Sequence, residues 1–255
     1  MTVRKSFARR GSAWATVGAC VAAAIVIRRL SARTGATARE ANAAFPGDDI
    51  MPDPTTVWNR GITIEASSSE IWPWLVQMGY GRGGFYAPEW FDRYVWRVPA
   101  ANSNVLLPEF QHVAAGDVVA DGPEYGAYWR VKIVEPERAL VYWTRRHTWR
   151  GSPVDPTDAV ALEKIERELL VGGMYLECSW GFYLTEIGPG RSRLIIRTRA
   201  ASAPAWLSLV PYGLADAYLS YVVLRNIKWR AERVAQSIAE RVAPISSSAG
   251  VAARL

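Results

Sequence analysis

Histidine and cysteine are scarce in this chain of 255 residues, with two of each. His112 and His147 stand far apart, one in a loop region and one at a strand end, so each reads as a surface residue rather than a general base. No Cys/His grouping has zinc spacing, so a zinc-stapled fold is excluded and no metal or cofactor is expected. Cys20 lies in an N-terminal apolar stretch and Cys178 in a strand-like segment. They form no structural disulfide if the first stretch is in lipid or removed, and Cys178 alternates onto an apolar face as an inert core thiol. A Gly-x-Ser-x-Gly elbow and a Ser/His/Asp order are both missing, which leaves nucleophilic hydrolysis without its machinery.

Acidic residues are nearly absent from the start. Residues 1–40 hold eight basic groups (Arg4, Lys5, Arg9, Arg10, Arg28, Arg29, Arg33, Arg39) and one acid, Glu40. The remainder carries 22 basic and 23 acidic groups, so the formal net charge of +6 belongs to the N-terminal tail. A nucleic-acid-binding domain carries its own basic face, so nucleic acid is not an expected partner. Ser12 to Ile27 is sixteen residues without a charge, flanked by Arg9-Arg10 and Arg28-Arg29. Sixteen is short of the about 20 that a span uses, and snorkelling arginines make up the difference. Residues 1–30 therefore read as a single membrane anchor. A cleaved signal peptide, leaving a secreted domain, is the alternative. Val17-Gly18-Ala19-Cys20 looks like a lipobox, but the run stays apolar past Cys20. Residues 31–45 read as a polar linker, 46–243 as the folded domain, and 244–255 as a disordered tail.

Apolar residues are plentiful. Half the chain is hydrophobic, with twelve tryptophans and eleven tyrosines, the material of a core and of pocket walls. Thr56 to Ala66 sets Val57, Ile62 and Ile64 against Arg60, Thr63 and Glu65, and predicts a first strand. Ser67 to Glu70 supplies a helix start, and Ile71 to Met78 a short helix with Pro73 in its first turn. Gly79-Tyr80-Gly81-Arg82-Gly83-Gly84 matches G-x-G-x-x-G literally. A dinucleotide fingerprint needs a strand before it and a helix after; here a helix precedes it, so it reads as a helix cap and turn. Phe85 to Tyr94 predicts an aromatic second helix. Strands follow at Val118-Val119, Tyr125 to Val134, Ala139 to Arg145, Tyr175 to Glu186 and Arg193 to Arg199. Asp158 to Leu170 fits a helix or a strand. The later strands have one apolar and one wet face, the antiparallel pattern. On the wet faces, Glu177 and Arg199 suggest a cross-strand salt bridge, and Arg193, Arg197 and Arg199 suggest solvent exposure.

One helix closes the chain. Leu214, Ala217, Tyr221, Leu224, Ile227, Ala231, Val234, Ile238 and Val242 recur at steps of three and four. Arg225, Arg230, Glu232, Arg233, Gln236 and Glu240 form the opposite, wet side, and Pro211 and Pro244 bracket the run. At 1.5 Å per residue it would be about 40 Å long, which asks for a sheet wrapped around it.

This order of elements resembles the SRPBCC or START-like superfamily of helix-grip proteins. That superfamily includes lipid-transfer domains, birch-pollen-allergen-like proteins, and polyketide cyclases and aromatases. The resemblance is carried by Ile62-Thr63-Ile64-Glu65-Ala66 and by Glu70-Ile71-Trp72-Pro73-Trp74-Leu75-Val76-Gln77-Met78 with the glycine run and Phe85-Tyr86. It continues in Leu107-Pro108-Glu109, Gly116-Asp117 and Val134-Glu135-Pro136-Glu137-Arg138-Ala139-Leu140, and ends in Arg193 to Arg199 and Leu224-Arg225-Asn226-Ile227-Lys228. It covers roughly residues 46 to 243 and looks like a branch usually labelled only SRPBCC family protein. It implies an α+β helix-grip fold: a curved antiparallel sheet around the C-terminal helix, two short helices after the first strand, and an apolar cavity between sheet and helix. It fixes no ligand, because fold alone does not name function.

The expected occupant is a small apolar or amphipathic molecule, lipid- or polyketide-like. Trp129, Trp143, Trp180, Phe182, Tyr218 and Tyr221 are the expected lining, and Tyr80, Arg82, Tyr86 and Trp90 the expected mouth beside the glycine run. Arg145-Arg146 stand where an acidic ligand end or headgroup would meet them. Two other readings stay open: an enzyme of the polyketide cyclase or aromatase kind, which needs positioned acid-base groups, and a structural or partner-binding domain filled by its own tryptophans.

Overall fold

The computed structural model describes residues 33–96, 102–122, 128–147, 158–172, 174–209 and 211–242. The expected anchor at 1–30, the loop at 150–156 and the tail at 244–255 lie outside the described residues.

Six antiparallel strands form one sheet: β1 (Thr56–Ile64), β2 (Val118–Ala120), β3 (Tyr128–Glu135), β4 (Ala139–His147), β5 (Tyr175–Gly188) and β6 (Arg191–Ala203). Their order is β1-β6-β5-β4-β3-β2, so the first strand joins the sheet beside the last. The curved sheet packs against the long C-terminal helix, the α+β helix-grip arrangement. Helices are α1 (Ala38–Asn42), α2 (Ser68–Val76), α3 (Glu89–Phe91), α4 (Ala159–Gly172), α5 (Trp206–Leu209) and α6 (Pro211–Val242). Ser67 starts α2 with a capping box: its hydroxyl accepts from the Glu70 N–H while the Glu70 carboxylate accepts from the Ser67 N–H. The second helix is shorter than its aromatic run predicts. Residues 85–88 stay irregular, α3 is a single turn, and a wide π-type turn follows at Asp92–Trp96. Asp158 to Leu170 resolves as helix.

The glycine run closes on itself. The Gly79 and Gly84 backbones exchange hydrogen bonds of 3.2 and 3.1 Å, with both residues at positive φ, and the Tyr80 N–H donates to Ala120 O on β2. It is a helix-end turn pinned to the sheet edge.

Period-2 alternation assigns the strand faces. Trp58, Ile64, Leu140, Tyr142, Cys178, Phe182, Leu194 and Ile196 pack beneath α6 in one core with Val223, Leu224, Ile227 and Ala231. Arg60 shares this inner face, against the sequence reading that set it on the wet side; it is two residues from Ile62 and 1% exposed.

The outer face is also covered. Phe45, Ile50 and Ile133 pack on Ala139, Val141, Tyr183 and Ile195, and the Phe45 ring stacks on Tyr183 at 4.3 Å. Residues 33–45, the described part of the polar linker expected at 31–45, therefore belong to a strap that holds α1 against the sheet. Arg197 supplies the grip. Its five N–H groups donate to Asn59 Oδ1 (2.7 Å), Ala43 O (2.9 Å), Asp48 Oδ2 (2.6 Å), Glu40 O (3.2 Å) and Ala41 O (2.9 Å). Arg193 binds the Glu40 carboxylate and Gly35 O, and Arg199 donates to Met51 O at 3.0 and 2.8 Å. The three arginines expected in solvent are strap anchors. The expected Glu177–Arg199 bridge does not form, because the register sets Arg199 opposite Ser179; Glu177 takes Arg145 at 2.9 Å instead.

Helix α6 departs from its sequence pattern in one respect. Asp216, Ser220 and Arg230 are buried, while Leu214, Tyr218, Tyr221 and Trp229 are exposed. Trp206–Ser237 is long and apolar enough to cross a membrane by length and composition, yet 44% of its most apolar window is buried, as befits a core helix.

Candidate functional site

A cavity of about 280 Å³ lies between the sheet and the first half of α6. Phe85, Phe91, Trp129, Trp180, Leu219 and Val223 supply apolar wall. The volume sits at the lower edge of ligand pockets, roughly 300–1,000 Å³. Two larger hollows, about 650 and 740 Å³, flank the strap on the outer face; they are open and lined by charged groups such as Glu135, Arg197 and Arg199. The apolar cavity under α6 is the better ligand site, because burial of apolar surface drives binding.

The aromatic wall is built by strand register. Trp180 on β5 faces Tyr142 on β4 and Thr198 on β6. Trp180 lies 5.5 Å from Trp129 and 4.6 Å from Phe182, ring centre to ring centre. These tilted contacts hold the indoles as a rigid floor, each pair contributing about 0.5–1.5 kcal/mol beyond area burial.

Polar groups enter the same cavity from two places. Asp216 of α6 sits with Oδ2 2.6 Å from Arg60 Nη1, while its Oδ1 accepts from Thr198 Oγ1 (2.9 Å) and Ser220 Oγ (3.2 Å). Burial pushes the Asp216 carboxyl up, and it lowers Arg60; their mutual contact pulls each back toward the charged form. The pair is close but poorly aligned, so the Arg60 N–H groups have no aligned acceptor among the described residues. Across the cavity, Arg146 Nη1 meets Asp121 Oδ2 at 2.5 Å, and its guanidinium lies 5.6 Å from the Trp129 ring. Burial depresses Arg146, but Asp121 outweighs it with help from Tyr212, and the net shift is upward: a fixed cation. Beneath them the Tyr212 hydroxyl donates to Cys178 Sγ at 3.4 Å; burial raises both, Cys178 to about 12. Among the described residues, no group of three His, Cys, Asp or Glu side chains is placed to hold a metal.

The sequence-predicted residues scatter. Trp129 and Trp180 line the cavity, and Phe182 backs it in the core. Trp143 points to the outer face by strand parity, where its indole N–H donates to Glu177 at 3.0 Å. Tyr86 is sealed in the core, its hydroxyl donating to Trp74 O at 2.9 Å, with a left-handed φ of 57°. Arg82 clasps Val76 O and Phe110 O, and Tyr80 packs half-buried against the core. Trp90 and Tyr218 meet at 5.9 Å on the surface, and Tyr221 is exposed beside Arg225. Of the polar members Asp121, Arg146, Thr198, Tyr212, Asp216 and Ser220, the sequence reading names only Arg146. Tyr212, Asp216 and Ser220 stand at steps of four, a polar stripe that the sequence does display.

No family model and no curated protein matches the chain. Among solved structures it is similar to protein Ms6760 from Mycobacterium smegmatis, with 14% identity and a TM-score of 0.40 over 72% of this chain and 93% of that one. It is similar to hypothetical protein jhp0584 from Helicobacter pylori, with 12% identity and a TM-score of 0.44 over 74% and 96% of the two chains. It is also similar to DynU16, a protein of the dynemicin biosynthetic locus, with 13% identity and a TM-score of 0.34 over 68% of this chain and 47% of that one.

Proposed function

We propose that this domain binds a small, largely apolar molecule carrying one polar end, held between the sheet and α6. Residues 12–27 tether it to a membrane in this reading. The observation that carries it is the coexistence, in one largely apolar cleft of about 280 Å³, of the Trp129–Trp180 floor with the Asp216 carboxylate and the Arg146–Asp121 pair. Such a space suits a few fused rings or a short chain and is too small for a two-chain lipid. A hydroxyl or enol on the ligand donates to Asp216, and a carbonyl accepts from Arg146. Both contacts would be charge-assisted, and the low-dielectric surroundings strengthen them.

Titration of the full chain with 2-naphthol, a two-ring molecule with one hydroxyl, tests the reading. Saturable quenching of tryptophan emission, weakened by Trp180→Leu, is the expected result. Quenching that never saturates, or that ignores Trp180, counts against it.

Asp216 also favours a second reading, in which the cavity performs acid–base chemistry on its ligand. Its upward-shifted carboxyl inside an apolar space is the arrangement that proton transfer uses. Turnover of any bound enolisable ligand, lost in Asp216→Asn with binding retained, would distinguish the two.

A further inference from the structure

Helix α6 mixes its faces along its first half: Val223 and Leu224 are buried in the core, but polar groups are buried beside them and large apolar ones are exposed. Its buried side carries Asp216 and Ser220, while Leu214, Tyr218, Tyr221 and Trp229 stand 53, 42, 46 and 43% exposed. These four, with Arg225, fall at steps of three and four and so share one outward stripe about 22 Å long. The neighbouring segment extends it: Trp90 and Tyr94 are 50 and 71% exposed, and the Trp90 ring meets Tyr218 at 5.9 Å. A folded chain rarely leaves this many large aromatics together in water without a use for them.

We propose that this aromatic face of α6, with Trp90 and Tyr94, is a docking surface for an anionic lipid bilayer. The chemistry of the stripe selects that partner. From Leu214 to Trp229 the outward face carries no acid. The acid that follows, Glu232, is held by Lys228 at 2.7 Å. The cations lie along the rings: Arg225 is 5.7 Å from the Tyr221 ring, and Arg233 is 4.6 Å from Trp229. Among the described residues Arg93, Arg225 and Arg233 have no ion-pair partner, and on this surface they outnumber the one exposed acid, Glu89 beside Trp90. Rings with one polar edge, interleaved with arginines whose stems lie on them, match the headgroup zone of a bilayer, where aromatic bodies dip inward and guanidinium groups meet phosphate.

Chain length agrees. The strap fixes Thr34 beside β1, its carbonyl accepting from the Gly61 N–H, and β1 packs against α6. The expected membrane segment ends at Ile27, and the six residues 28–33 between it and Thr34 reach at most about 22 Å. The short tether keeps the domain beside the bilayer, and the rings and arginines of α6, not the tether, select the face that turns toward it. Phe91, next to Trp90, is cavity wall, so the docked face also borders the proposed ligand space. The inference does not depend on that cavity being filled.

The test uses the full chain carrying Cys20→Ser, because Cys178 is fully buried and does not label. A single cysteine is placed by Tyr221→Cys, or by Arg138→Cys in the β3–β4 turn, and tagged with an environment-sensitive nitrobenzoxadiazole dye. Vesicles of seven parts phosphatidylcholine to three parts phosphatidylglycerol are added. The expected result is a severalfold emission rise with a blue shift at position 221 and little change at 138, diminished in half-molar salt and in a Trp90→Ser, Tyr218→Ser background. Equal responses at both positions would mean tethering by the N-terminal segment alone and would overturn the proposal. So would an unresponsive 221 probe, or one that responds to protein concentration without lipid, the mark of a second copy. Far-ultraviolet circular dichroism of each variant shows that the fold is retained, and 2-naphthol binding, scored separately, keeps the cavity reading distinct.

Discussion

Arg60 of β1 and Asp216 of α6 meet across the inner face of the sheet, Nη1 to Oδ2 at 2.6 Å, with side chains 1 and 8% exposed. Arg197, on the neighbouring strand β6 and the opposite face, places five N–H groups on five acceptors. The contrast is chemical. Arg197 is saturated and serves the fold, whereas Arg60 depends on one imperfectly aligned carboxylate that also faces the cavity.

Removing that carboxylate leaves a buried guanidinium without compensation. Asp216→Ala is expected to cost about 3–5 kcal/mol of unfolding free energy. Replacing both partners, Arg60→Met with Asp216→Leu, should recover most of it, because no buried charge then remains. Urea midpoints of the two singles and the double check this; a single variant costing under about 1 kcal/mol refutes the account of the pair.

Acid should loosen the strap. The Glu40 carboxyl is held below its ordinary 4.5 chiefly by hydrogen bonds from Arg193. A depressed folded-state value means the stabilisation is present above 4.5 and is lost as pH falls through the folded value. Asp216 has the opposite sign: its raised value gives a contribution complete below the ordinary 3.8 and lost as pH rises through the folded value. Acid loss at residues 35–48 is therefore Glu40's signature. Hydrogen-exchange protection there, corrected for the intrinsic rate at each pH, should fall below pH 4.5 in the natural chain, and in Glu40→Gln it should already be low at neutral pH.

Much of this was legible in the sequence, and the exceptions share a cause. The strands, the closing helix and the α2 start followed from periodicity and capping chemistry. The strap did not, because Arg193, Arg197 and Arg199 alternate as a wet strand face would; only the structure shows that their acceptors are backbone carbonyls of residues 35–52 together with the Glu40 and Asp48 carboxylates and Asn59. Periodicity ranks the α6 positions by apolarity, which sets Leu214 and Tyr221 inward and gives Asp216 and Ser220 no signal. A helix that buries polar groups against a cavity and shows rings outward defeats a rule that assumes the reverse.

Cys178 should behave as a sealed thiol. Burial raises it to about 12, despite the Tyr212 hydroxyl at 3.4 Å, and the side chain is wholly enclosed. In the Cys20→Ser chain, iodoacetamide at pH 8 is expected to leave Cys178 unmodified for hours and to label it promptly in urea. Mass spectrometry reads both; fast labelling of the folded chain would show that this end of the cavity opens to water.

The most direct measurement is native mass spectrometry of the full chain and of Ala215→Trp, side by side. Ala215 lies on the cavity wall, and an indole there occupies the space a ligand needs. The natural chain should carry a small apolar adduct from its host or from added 2-naphthol, and the variant, folded by circular dichroism, should carry none. Adducts on both chains, or on neither across several hosts and ligands, would contradict a binding space between the sheet and α6.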